Sequence, residues 1–199
     1  MKKLVLASLL LLFSGGSAEC QHYKPPKGSP EEVLDRYLQM INDGDLLTQT
    51  GWRKACPLFV ELEPYSPHSK ISVTTKFILG LGPMTIKGDH AEADVKWTDD
   101  IGSIDEKLQF VPLPKAQLGI EVINVFRLTF SRKRCEISAD GKSMRVVEGD
   151  PQWRLDGPMT VRPASREAAI RYLERERSKV DDAVIRSNAA NTIAILKKL

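Results

Sequence analysis

The sequence predicts an α+β fold. Three observations carry that expectation: apolar residues at helical spacing between Ser29 and Glu63, a two-residue alternation from Ile71 to Leu155, and a return to helical spacing from Ser165 to Leu199. Long antiparallel strands after two helices imply helices layered on one face of a sheet. The 199-residue chain is 42% hydrophobic and 28% charged, enough for a sizeable core and unlike a disordered, collagen-like or polytopic membrane chain. Its formal charge of +3 is too balanced to argue for a nucleic-acid partner.

The first 18 residues, MKKLVLASLLLLFSGGSA, have the form of a bacterial secretory signal peptide. Lys2 and Lys3 make the basic start, and Leu4 to Phe13 is an apolar run too short to span a bilayer. Gly16 and Ala18 precede a cleavage point that leaves Glu19 first. A periplasmic or secreted location follows, with retention as an N-terminal anchor the alternative. Cleavage removes two of the 29 basic residues and leaves the chain almost neutral, which takes away most of the case for an acidic partner. Cys20 raises a lipid anchor, and with it a membrane, as a minority alternative. Glu19 directly before it fits that processing site poorly.

In an oxidising compartment three cysteines leave one odd. Cys56 and Cys135 are the candidate disulfide, with buried free thiols the competing reading. No CxxC and no Cys/His cluster occurs, so neither a metal site nor a cofactor is expected.

Residues 19–28 carry Pro25, Pro26 and Gly28 without any period and read as a tether. A domain over 29–162 follows. Ser29 is a good N-cap, Pro30 suits the first helical position, and Glu32 completes a capping box. Val33, Leu34, Tyr37, Leu38 and Ile41 share one face, and Gly44 marks the stop. From Leu46 to Glu63 a less regular helical piece is capped by Thr48 or Thr50, with Pro57 predicting a kink or two short helices.

Alternation then predicts strands at Ile71–Leu79, Ala91–Thr98, Gly119–Arg132 and Met144–Glu148, with Trp153–Leu155 closing the sheet. Turns are expected at Gly80–Pro83, Gly88-Asp89, Asp99-Asp100 and Asp140-Gly141. Residues 163–199 read as a C-terminal helix, its first half packed on the sheet and its last turns extending or fraying. Glu167–Arg171 and Asp182–Arg186 stand at ion-pair spacing along it.

The stretch Val33 to Asp45, a helix running into Asn42-Asp43-Gly44-Asp45, resembles the nuclear transport factor two-like superfamily. A second helix reaching Leu58-Phe59 and an antiparallel sheet beyond it extend the likeness. That superfamily includes ketosteroid isomerases, scytalone dehydratase and polyketide cyclases. The resemblance implies a cone, in which helices lie over a curved antiparallel sheet with a pocket between them. It matches Tyr37 to the tyrosine that donates a hydrogen bond to the developing oxyanion in the isomerases. A core aromatic with a satisfied hydroxyl is the competing reading. The isomerases' catalytic aspartate has no counterpart in Tyr65-Ser66-Pro67-His68. Glu61, Glu63 and His68 are the nearby groups that can titrate.

Trp52, Trp97 and Phe126 are candidates to line a pocket, with core packing the alternative. Asp99-Asp100 suits a cation or a solvated turn. Arg132-Lys133-Arg134 suits a phosphate or a solvated strand end. The leading functional expectation is an exported, non-catalytic module that binds a small apolar molecule or an envelope protein. A third expectation is a purely structural envelope module that associates through the open face of its sheet or through the C-terminal helix, and a homo-oligomer is compatible with each of these readings. The alternative is an acid–base isomerase, dehydratase or cyclase using Tyr37 with Glu61, Glu63 or His68.

Overall fold

The computed structural model describes residues 25–63, 65–66, 70–81, 84–115, 122–138, 143–156 and 162–199. The expected signal segment, Cys20, His22, most of the tether, His68 and the Asp140-Gly141 turn lie outside the described residues, as does Pro83.

Helix α1 spans Pro30–Asp43. The Ser29 hydroxyl accepts from the Glu32 amide at 3.2 Å, and Glu32 reaches back to the Gly28 amide, one residue before the cap. Gly44 ends the helix in the left-handed region, at φ 76°, where a side chain would be strained. A 3-10 turn at Asp45–Leu47 leads to α2 at Gln49–Ala55, capped by Thr48 rather than Thr50. Pro57 sits inside a second 3-10 turn, Cys56–Leu58, because it lacks the amide an α-helix would need there.

Gly51 lies against the Asp45 backbone, so a Cβ at this position would overlap the Asp45 carbonyl. Gly51→Ala is therefore expected to destabilise the protein by about 1–3 kcal/mol, the scale of an overpacked core. Urea unfolding that shows no loss would contradict this close approach.

The sheet has seven strands: β1 (Ile71–Leu81), β2 (Thr85–Lys87), β3 (His90–Ile104), β4 (Phe110–Pro112), β5 (Val122–Ile137), β6 (Met144–Leu155) and β7 (Arg162–Ser165). The order is β6-β5-β3-β1-β7, with the short β2 and β4 paired to β3. It is mostly antiparallel and open. One expectation needs correction: β7 runs parallel to β1, over Ile71–Thr74 against Arg162–Ser165. Four residues from the far end of the chain thereby finish the sheet at β1. A second correction is that Asp99 and Asp100 lie within β3 and not in a turn. The two expected pieces around Met144 and Trp153 form one strand, β6, whose register against β5 shifts between Ser131 and Lys133.

Two buried clusters divide the interior. The first joins Leu34, Tyr37, Leu38 and Ile41 of α1 and Trp52 of α2 to Ala91, Ala93, Val95, Leu128, Cys135 and Leu155 of the sheet. The inward-facing residues of β3 and β5 are paired, Ala91 with Leu128 and Ala93 with Phe126, so small side chains on β3 make room for large ones on β5.

The second cluster corrects the expected C-terminal helix. Residues 166–196 form two helices, α3 (Arg166–Arg177) and α4 (Ala183–Leu196). Ser178 to Asp182 separates them, and the Asp182 carboxylate accepts from the Val184 and Ile185 amides to start α4. α4 does not fray: Ala189, Thr192, Ile193 and Leu196 are buried, while Val184 and Ile195 face solvent. This face meets Ala169 and Leu173 of α3 together with Ile71, Val73, Ile104 and Phe110. The i,i+4 pairs are not the contacts made. Glu167 pairs with Arg166 at 2.8 Å, Arg171 donates to the Asp43 carbonyl, and Arg186 donates to the carbonyls of Val180 and Asp181. Among the described residues no helix is long and apolar enough to cross a membrane.

Candidate functional site

Tyr37 occupies the middle of the first core and is 1% exposed. Its ring stands edge-on to Phe59, with centroids 5.5 Å apart, and is tilted against Phe126 at 5.7 Å. Burial pushes its phenol well above the ordinary tyrosine range. Phe126 is only half-buried and packs on this cluster from β5. Trp52 is buried too, and its indole N–H donates to the Glu63 carbonyl at 2.7 Å, anchoring the chain that leaves α2. Trp97 pairs with Phe77 and Val122 in backbone register; its side chain lies outside the described set.

Tyr37 is buried, whereas Glu61 and Glu63 are exposed. They line a cleft of about 200 Å³ with Leu62, Cys135, Met144, Arg145 and Val146. Of the four titratable candidates, then, two acids stand at the surface, the phenol is sealed in the core, and His68 is not described.

That surface region is built around Cys56 and Cys135, which are joined by a disulfide with Cα atoms 5.2 Å apart. Cys56 begins the 3-10 turn after α2 and Cys135 lies in β5, so the bond ties the helical layer to the sheet. Backbone contacts continue the attachment: the Cys135 amide donates to the Phe59 carbonyl at 3.0 Å, and the Val60 amide to the Leu155 carbonyl at 3.1 Å. Beside the glutamate cleft, and sharing Cys135 with it, lies a second cleft of about 340 Å³. Arg53, Cys56, Pro57, Arg134, Glu136, Ile137 and Ser138 complete its lining.

Two guanidinium groups line this second cleft, and a third is bonded to its wall. Arg53 projects from the last turn of α2, and Arg134 from β5. Arg154, in β6, is 3% exposed and donates one Nη to the carbonyl of Pro57, a cleft residue. Its Nε–H is buried with no acceptor among the described residues. Burial, and secondarily the charge of Arg134, hold the Arg154 guanidinium below its ordinary pKa. Glu136 is the carboxylate lining this cleft, and it is taken up elsewhere. Arg145 holds it from Nε at 2.9 Å and Nη2 at 2.7 Å, whereas Arg134 stands 4.0 Å from it. Gly149 leaves room for the Arg134 side chain, whose Nε lies 3.4 Å from where a Cβ would be.

Sequence reasoning singled out Arg134 within a basic run but missed Arg53 and Arg154. Arg154 stands in β6 between Trp153 and Leu155, and no local signal separates a buried arginine from an exposed one there.

A third cleft, also about 340 Å³, is lined by Thr85, Lys87, His90, Glu92, Arg127 and Asp156, among others. Beside it Asp89 stands 3.3 Å from His90, and Thr129 lies 3.5 Å from the other ring nitrogen and donates to Asp156 at 3.3 Å. Asp89 and His90 are two-thirds exposed, so water competes for each of these contacts. Among the described residues no group of three or more His, Cys, Asp or Glu side chains is arranged to hold a metal ion. No protein family, curated protein or solved structure matches this chain.

Proposed function

We propose that the protein is an exported, non-catalytic binding module of the cell envelope, and that its binding place is the surface cleft at the disulfide and not the helix–sheet core. The observation that carries this reading is that, among the described residues, Tyr37 is buried in the core while Glu61 and Glu63 stand at the surface. Tyr37 is enclosed by Phe59 and Phe126, while Glu61 and Glu63 open onto a different surface with Arg145. An oxyanion donor acts only where a reacting atom and a base can reach it together. A phenol buried among aromatic and aliphatic side chains instead serves packing.

The resemblance of the Val33–Asp45 stretch to the nuclear transport factor two-like superfamily supports a cone-shaped fold. The basic–apolar–small N-terminal segment supports export.

An enone assay tests the absence of chemistry. Incubated with a β,γ-unsaturated ketone, the protein is expected to leave the double bond in place, with no rise in conjugated-enone absorbance. Tyr37→Phe should lower stability by about 0.5–1.5 kcal/mol, the scale of one hydrogen bond, and change nothing else. Enone formation that the wild type supports and Tyr37→Phe slows by about 100-fold would restore the acid–base enzyme reading.

A further inference from the structure

We propose that the cleft lined by Arg53, Pro57, Arg134 and the Cys56–Cys135 disulfide is an oxyanion site that takes a phosphate-bearing ligand. This deepens the reading of that cleft as the binding place and does not depend on what Tyr37 can or cannot catalyse.

Charge is the first argument. Arg53 and Arg134 line the cleft, and Arg154 lies directly behind Pro57. Arg145 neutralises Glu136, the carboxylate that shares this lining, so a local excess of positive charge remains. Surface arginines commonly face water singly. Here two of them line one cleft, and a third, buried, is bonded to the cleft wall at Pro57.

Hydrogen bonding is the second. A buried guanidinium ordinarily has its donors satisfied, because each unmet donor costs about 1–3 kcal/mol. Arg154 retains a buried Nε–H with no acceptor among the described residues. An oxyanion seated against Arg134 would offset, from the open side, the positive charge gathered around Arg154.

Ligand chemistry follows from the lining. A guanidinium presents parallel donors in a planar fork and is weakly hydrated, which suits phosphate oxygens at a partly desolvated place. Two guanidinium groups at one cleft, whose single lining carboxylate, Glu136, is bonded by Arg145, match a dianion better than the single charge of a carboxylate. Pro57, Ile137 and the disulfide supply an apolar wall for the organic part of a phosphate ester. The volume of about 340 Å³ falls at the lower end for small-molecule sites. A soluble phosphate ester and a phospholipid headgroup share this chemistry.

The test uses inorganic phosphate as probe, titrated into ¹⁵N-labelled protein at constant ionic strength, with acetate and chloride as controls. Saturable shifts are expected at the side-chain Nε–H signals of Arg53, Arg134 and Arg154, and acetate should bind at least several-fold more weakly. Arg53→Gln and Arg134→Gln, both at surface positions that should leave the fold intact, should each weaken phosphate binding by about tenfold, the loss of one charge-assisted contact. A phosphate response no larger than that of acetate or chloride would overturn the proposal, as would full affinity in both variants.

Vesicles of phosphatidylcholine with and without phosphatidate then separate the sources. Binding to phosphatidate vesicles that inorganic phosphate competes away assigns a headgroup. Phosphate binding without vesicle binding assigns a soluble ester. Either supports the site, and neither bears on enone chemistry, so failure here and failure of the non-catalytic reading remain distinguishable.

Discussion

Replacing both bridge cysteines, Cys56→Ala with Cys135→Ala, is expected to lower stability by up to about 4.5 kcal/mol. The bond closes a loop with a sequence separation of 79 residues. Chain-entropy arithmetic for a loop of that length gives about 4.5 kcal/mol, within the roughly 2–5 kcal/mol usual for loss of a native disulfide. Much of that effect lies in the unfolded chain, which becomes freer when the crosslink goes. The folded state loses something as well, because Cys56 and Cys135 are 1% and 3% exposed and sit in the first core.

Urea unfolding of the oxidised wild type against the double variant reads the difference. Wild type unfolded under a strong dithiol reductant should fall close to the variant. A loss below about 1 kcal/mol would mean that the backbone contacts of Phe59 and Val60 alone hold α2 to the sheet. The same variant should weaken phosphate binding, since the bond forms one wall of the arginine cleft and fixes Arg53 relative to Arg134.

The second large effect is expected at Thr192. Its hydroxyl, buried between α4 and β4, accepts from the Phe110 amide and donates to the Leu108 carbonyl, both at 2.9 Å. Thr192→Val preserves shape and leaves both backbone groups unmet. At about 1–3 kcal/mol for each buried orphan, the loss should be about 2–6 kcal/mol. Thr192→Ser keeps the hydroxyl and removes one methyl, so its loss should be near 1 kcal/mol. Equal losses in the two variants would show that volume, not hydrogen bonding, secures α4. Denaturant unfolding with matched slopes distinguishes these outcomes.

The contrast between α1 and α4 explains how much of the fold was legible. α1 announces itself locally: Ser29 caps it, Pro30 opens it, Gly44 closes it, and large apolar residues recur on one face. α4 buries Ala189, Thr192, Ile193 and Leu196, a face half made of small or polar residues, while larger Val184 and Ile195 point outward. Hydrophobic periodicity ranks residues by size and polarity, so it favours the exposed Val184 and Ile195 over the buried Ala189 and Thr192. What makes Thr192 a core residue is the backbone of Phe110 and Leu108, more than 80 positions away.

The candidate site divides along the same line. The sequence alone determined the α+β class, the helix pair around Gly44, the alternating strands, and the chemistry that lets Cys56 and Cys135 pair. Each depends on a residue's own character or on neighbours a few positions away. Only the tertiary structure decided that β7 would join β1 in parallel, that residues 166–196 would fold as two helices, that Tyr37 would be buried while Glu61 and Glu63 stayed exposed, and that Arg53 and Arg134 would line one cleft with Arg154 bonded to its wall. Those arrangements join α2, β5 and β6, or opposite ends of the chain. Long-range pairing is set by which complete surfaces bury the most apolar area and satisfy the most backbone groups together, a property that no single window of sequence contains.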